Sequence, residues 1–321
     1  MNRIGKPASA RGGLNVRRWV AGLLLPLALA ACGGGTTQQT VFQPERLIAF
    51  GDEHSVLTPT GRKYTVNAVD ATTGAIDCRA NPLWTQVVAA TYSFVFEECN
   101  PNNSLVKNAL MRAAVGARVA DLRTQVNAQV AAGGLTSKDL VTVLVGMHDV
   151  LSLYAQFPQR SEAELLADAR ARGEALAAEV NRIVGLGPRV LVATLPDLSF
   201  TPYALAQKAA FNDTDRAALL GRLVEAFNGR LRVNIVNDGR LVGLVLADET
   251  TQVMARFPSA FGFSNATEGA CSAALPDCTT ATVVAANAGT TYLWADATRA
   301  GPVWHNRVGL IAQQRAVNNP F

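Results

Sequence analysis

From about residue 45 onward, short apolar runs rich in β-branched residues alternate with longer Ala-, Leu- and Arg-rich stretches of helical period. This alternation is the pattern of a parallel sheet covered by helices on both faces. Predicted strands are 46–50, 140–145, 189–194, 241–247 and 291–294, and predicted helices 105–132, 162–184, 214–237, 252–256 and 302–316. The fold class is therefore α/β, with a central parallel sheet of about five strands. Ser161 with Glu162 and Glu164 reads as an N-cap and capping box, Gly185 and Gly187 before Pro188 as a helix stop, and Asp213 or Thr214 as the next cap. Two stretches break the alternation, 58–103 and 259–290. They read as inserted loops, of a length that shapes a site or a binding surface.

The start of the chain follows a different pattern. Arg3, Lys6, Arg11, Arg17 and Arg18 precede an apolar run over 19–31 that is too short to span a membrane, so 1–31 is predicted to be a secretion signal. Leu29-Ala30-Ala31-Cys32 resembles the lipobox of bacterial lipoproteins, which implies that Cys32 carries lipid and that 32–44 is a tether. The alternative is an ordinary small-residue cleavage site that happens to precede a cysteine. Lipidation places the protein in the bacterial cell envelope, bound to the membrane by its anchor, and Gly33 after the cysteine points to the outer membrane. Removing the signal changes the charge as well, leaving 24 Lys and Arg against 25 Asp and Glu in a mature chain of 290 residues. No basic patch argues for a nucleic-acid partner. No protein partner is specified.

With Cys32 assigned to lipid, Cys78, Cys99, Cys271 and Cys278 remain, an even number in an oxidising compartment. Three pairings are possible. The local one, Cys78 with Cys99 and Cys271 with Cys278, closes the smallest loops and is the one expected. A metal site is the rival reading, but with three His and no Cys-x-x-Cys spacing, neither metal nor other cofactor is expected.

The candidate chemistry begins at Leu47-Ile48-Ala49-Phe50-Gly51-Asp52-Glu53-His54-Ser55. This stretch resembles the first block of the SGNH/GDSL hydrolase family, Phe-Gly-Asp-Ser-Leu-Ser, with Glu53 where that family carries its nucleophilic serine. Further landmarks occur in the family's order. Ala114-Val115-Gly116-Ala117 is similar to the block whose glycine N–H serves an oxyanion hole. Gly146-Met147-His148-Asp149 stands for Gly-x-Asn-Asp, and Asp296-Ala297-Thr298-Arg299 for Asp-x-x-His. The runs 193–197 and 261–267 are non-catalytic similarities to lipase-like members, and His305 falls at a later, non-catalytic histidine. The resemblance covers nearly the whole mature chain and implies a three-layer, flavodoxin-like α/β/α fold.

It also implies changed chemistry. Ser, Asn and His are replaced by Glu53, His148 and Arg299, whereas Gly116 and Asp296 are retained. Arginine takes no proton at physiological pH. The replacements predict an ion pair instead, Arg299 bridging Glu53 and Asp296, with His148 donating to Glu53. Glu53 capping the first helix is the plainer alternative. Ser55, two residues on and about 200° around a helix, is expected to face away from the site, and His54 to face outward. Glu53 and Asp296 as a water-activating carboxylate pair ranks last, because Arg299 between them holds both ionised. The reading is an envelope lipoprotein, degenerate as a serine hydrolase, that acts by binding a ligand or a partner, with a lipid, glycan or acyl ester as the candidate ligand. An active esterase with a rearranged site is the alternative.

Overall fold

The structure is a computed structural model and describes residues 42–318. The predicted signal, Cys32 and most of the predicted tether lie outside the described residues. Five strands form the central sheet: β1 (Arg46–Gly51), β2 (Ala109–Met111), β3 (Asp139–Leu144), β4 (Arg189–Ala193) and β5 (Val242–Val245). All pairings are parallel and the order is β2-β1-β3-β4-β5. That is the flavodoxin-like order, in which the chain reverses direction across the sheet between β1 and β3 and opens a crevice at the strands' carboxyl ends.

The two-residue period of the strands sorts their side chains into two cores. Ile48, Phe50, Val141, Val143, Val190 and Val192 face α2 (Val119–Gly133), α3 (Met147–Tyr154), α4 (Glu162–Gly185) and α6 (Arg216–Asn234). Leu47, Ala49, Leu140, Leu144 and Leu191 face α1 (Trp84–Thr91), α7 (Ala247–Arg256) and α8 (Pro302–Asn318). Each such buried side chain contributes about 1.5–3 kcal/mol, so the alternation itself fixes which face each strand residue takes. A further helix, α5 (Pro202–Ala210), begins at Thr201, whose hydroxyl accepts from the Ala204 N–H. Ser161 and Glu164 form the expected capping box of α4. The cap of α6 is Asp215 rather than Asp213 or Thr214.

Several expectations need correction. The predicted helix over 105–132 is two elements, for β2 occupies its start and α2 begins at Val119. The predicted strand over 291–294 lies outside the central sheet. Tyr292–Trp294 pairs in parallel with Asn265–Gly269, and the Trp294 indole N–H donates to the Ala266 carbonyl at 3.0 Å. The edge strand beside β1 is β2, through the register Leu47 to Ala109. Helix α7 begins at Ala247, well before 252, and α1, α3 and α5 were not expected.

The two inserts carry the expected disulfides, Cys78–Cys99 and Cys271–Cys278. They meet at Asn67, which is fully buried. Its amide donates to the carbonyls of Pro276 and Cys278 at 2.9 and 3.0 Å, and its backbone N–H also donates to Cys278. The adjoining Thr65 hydroxyl donates to the Ala300 carbonyl at 2.9 Å, which ties this junction to the segment that follows Arg299.

Candidate active site

The site forms where β1 ends. Gly51 has φ +126°, and a Cβ there would lie 1.9 Å from the Leu144 carbonyl oxygen, so only glycine lets β1 leave the sheet this close to β3. The Asp52 N–H then donates to Leu144 O at 3.0 Å. The chain next makes a tight turn instead of a helix, with Ser55 N–H on Asp52 O at 3.0 Å. Glu53 therefore caps no helix, and the helical geometry assumed for His54 and Ser55 does not apply.

The turn directs Glu53 into the crevice, where its carboxylate is fully buried. Arg299 donates to Oε1 from Nε at 3.0 Å and from Nη2 at 2.7 Å. The Gly116 N–H donates to Oε2 at 3.0 Å. His148 Nε2 lies 2.9 Å from Oε1 and 2.8 Å from Oε2. On its other side, Arg299 Nη1 donates to Asp296 Oδ2 at 2.7 Å, while Asp296 Oδ1 accepts the N–H groups of Thr298 and Arg299. The predicted Glu53–Arg299–Asp296 bridge is thus present, and all five expected residues converge. Asp296, His148 and Arg299 are each about a quarter exposed, at 26 %, 24 % and 22 % of the side chain, and they roof the buried carboxylate.

The electrostatics follow from this geometry. Burial alone raises the Glu53 pKa, but the His148 hydrogen bond, the nearby His54 charge and the Gly116 N–H outweigh it and hold the carboxyl well below the usual range. An ionised carboxylate only accepts, so His148 Nε2 carries its proton toward Glu53. The other ring nitrogen, Nδ1, has no protein partner among the described residues and is open to solvent.

Supporting contacts fix these groups. Asp149, nearly buried, accepts the Val119 N–H at 2.9 Å and Arg172 Nη1 at 2.9 Å, joining the start of α2 and the Gly116 loop to α3. Gln125 brackets Gly51, accepting its N–H and donating to its carbonyl, both at 2.9 Å. The Arg299 guanidinium lies over the Tyr64 ring at 5.8 Å, which brings the first insert to the site. Tyr64 and Asp149 were not singled out from sequence. Asp149 closes the Gly146-x-x-Asp149 block, and that was its only signal. A cavity of about 520 Å³ lined by Arg112, Val115, Asp121 and Gln125 opens beside Gly116.

The remaining candidates lie elsewhere. Ser55 is buried and its hydroxyl accepts from the Trp84 indole N–H at 3.1 Å, away from Glu53 as expected. His54 does not face outward. It is buried, with Nδ1 2.8 Å from Asp52 Oδ1, because the turn folds its ring back under the strand end. Burial lowers its pKa, but the Asp52 charge and hydrogen bond raise it overall. His305 is buried on α8 with its ring 6.3 Å from that of His54, and burial drives its pKa far down. Among the described residues no group of three or more His, Cys, Asp and Glu is arranged to hold a metal, and no helix is long and apolar enough to cross a membrane.

No family model and no curated protein matches the sequence. Among solved structures, the chain is similar to Axe2, an acetylxylan esterase from Geobacillus stearothermophilus, at 16% identity over 87% of this chain and 96% of that one, with a TM-score of 0.41. It is similar to a member of the lipolytic G-D-S-L family from Veillonella parvula at 9% identity, over 85% and 96% of the two chains, TM-score 0.42. An extracellular lipase from Streptomyces rimosus matches at 18% identity over 65% and 82%, TM-score 0.38. The β2-β1-β3-β4-β5 parallel sheet gives the chain a flavodoxin-like α/β fold, with Gly116, His148, Asp296 and Arg299 gathered at the crevice beyond the Gly51-Asp52 strand end.

Proposed function

We propose that this chain is a lipid-anchored envelope protein that uses its hydrolase-like scaffold to bind a ligand rather than to cleave esters through serine. The observation that carries this reading is the buried Glu53 carboxylate, held by Arg299, His148 and the Gly116 N–H where a nucleophile and its base would act. Loss of nucleophile or base from a Ser-His-Asp unit costs on the order of a million-fold in rate, and here both are replaced. Crevices at the carboxyl ends of such sheets bind ligands, and a lipid, glycan or acylated compound is the class of ligand proposed. The anchor rests on the sequence around Cys32, and the outer membrane on Gly33.

Two measurements test this. Mature protein carrying Cys32→Ala is expected to turn over no short-chain acyl ester and to take no label from a serine-reactive phosphonate. In cells, the native chain is expected to incorporate labelled palmitate and to fractionate with membranes, and Cys32→Ala to do neither.

One observation favours the alternative, an esterase with a rearranged site. His148 presents Nε2–H to Glu53 and leaves Nδ1 open to solvent, so Nδ1 can take a proton from water as the water oxygen attacks an acyl carbonyl and return it to the departing alkoxide. Turnover retained in Ser55→Ala but lost in both His148→Ala and Glu53→Ala establishes that alternative and removes the first reading.

A further inference from the structure

The groups around Glu53 have a geometry that is independent of any reaction. Four N–H donors, from Gly116, His148 Nε2 and the Nε and Nη2 of Arg299, converge within 3.0 Å on one planar carboxylate that solvent does not reach. Their origins are separate. Gly116 comes from the loop before α2, His148 from the start of α3 and Arg299 from the loop before α8, and each is fixed by contacts of its own. Asp149 ties the Gly116 loop to α3, and Asp296 holds Arg299 by its side chain and its backbone N–H. The donor set is therefore positioned by the scaffold as well as by its anion. Arg299 supplies the charge and the fork that suits a carboxylate, and the Gly116 N–H and His148 fix the second oxygen.

We infer that these donors form a receptor for a small carboxylate, that the native chain fills it with its own Glu53 side chain, and that acetate enters once this side chain is cut back to alanine. The chemistry sets the ligand size, because Glu53→Ala deletes one methylene and one carboxylate, which is acetate less a hydrogen. Formate leaves a gap of one carbon and propionate overfills by one, so acetate is the best fit of the three. Chloride is a single sphere with no pair of oxygens to meet both donor sets, and acetamide lacks the charge that Arg299 requires. The inference shares with the proposed function the treatment of Glu53 as an occupant instead of a reactant, yet its readout is occupancy. Ester turnover by the native chain overturns the binding reading and leaves the result below to be judged by itself.

The experiment is thermal unfolding of the mature protein at neutral pH and constant ionic strength, with sodium acetate replacing sodium chloride up to about 100 mM. Glu53→Ala is expected to melt below the native protein and to regain about 2 °C or more with acetate, with formate and propionate weaker and acetamide inert. The native protein and Glu53→Gln, whose pocket stays filled, are expected not to respond, and Glu53→Ala with Arg299→Ala is expected to lose the response. Equal shifts in native and Glu53→Ala protein, or equal shifts by chloride and acetate, overturn the inference. If Glu53→Ala does not fold from the cell, refolding from urea is the readout. Recovery of native near-ultraviolet circular dichroism in acetate but not in chloride or acetamide supports the receptor, and failure in all three overturns it.

Discussion

Two buried ionisable groups of opposite sign, Glu53 and Lys63, are handled in different ways. Both side chains belong to residues at 0 % exposure. Glu53 meets a full guanidinium, an imidazole N–H and a backbone N–H. Lys63 meets three backbone carbonyls, those of Cys78, Ala80 and Asn81 at 3.1, 2.6 and 3.0 Å, and among the described residues no carboxylate within hydrogen-bonding reach. Dipoles alone do not offset the loss of water. Burial, countered in part by the more distant charge of Asp77, takes the Lys63 pKa down to about 8. At Glu53 the donors prevail over burial, and the charged form is favoured. At Glu53 the His148 hydrogen bond, the nearby His54 charge and backbone N–H donors oppose burial, whereas Lys63 has only carbonyl dipoles and the more distant Asp77 to do so.

The strongest way to break this comparison is to remove the counter-charge. Arg299→Ala leaves a buried carboxylate held by neutral donors and is expected to cost about 3–5 kcal/mol, measured by urea unfolding at pH 7. A double-mutant cycle with Glu53→Ala is expected to show strong non-additivity. Two independent, additive costs would mean that the pair is not coupled.

Lys63→Met keeps the apolar stem and strips the three carbonyls of their donor, for an expected loss of about 1–3 kcal/mol. The sign of its pH dependence follows from linkage. With a folded pKa of about 8 and an ordinary value of 10.5, the unfolded chain holds more protons between the two, so native stability rises with pH across that window and the gap to Lys63→Met widens. A gap that narrows there would show that the three carbonyls favour the ammonium after all.

Glu53 has the same sign of dependence in a more acidic window. Its folded pKa is depressed, so its contribution is complete above the ordinary carboxylate range and is lost as pH falls toward the folded value. Unfolding midpoints of native protein and Glu53→Gln are expected to converge as pH drops through that range. The mildest test is Thr65→Val, which removes the hydroxyl bonded to Ala300 beside the Arg299 loop. About 1 kcal/mol is expected, with no change in the Glu53 acid profile.

How much of this was legible in the sequence differs residue by residue. The Glu53–Arg299–Asp296 bridge followed from the resemblance of the Gly51-Asp52, Gly116, Gly146 to Asp149 and Asp296 blocks to a hydrolase family's motifs, which marked the three positions as one site. Both disulfides followed from spacing. Strand β2 did not, because three residues are too few to show a period, and the apolar Leu105 and Val106 before it extended the helical pattern although they are highly exposed. Tyr292–Trp294 has strand composition but finds its partner in the second insert, which composition does not specify. His54 was misjudged because its direction was taken from a helix that the turn at Asp52 replaces. Lys63 sits in the polar run Gly61-Arg62-Lys63-Tyr64, where nothing marks it for burial. Its site exists only after the disulfide-closed insert folds over it.

The bond between Glu53 and Arg299 spans 246 positions, nearly the whole described chain. Its formation therefore has an order in time. A chain made from its N-terminus carries Glu53 without its guanidinium partner until residue 299 has been added, 246 positions later. Long-range closures of this kind come late and slowly. A chain that stops short of residue 299 thus leaves a carboxylate at the sheet crevice without the guanidinium that meets it in the finished fold, a partly folded state open to proteolysis and aggregation.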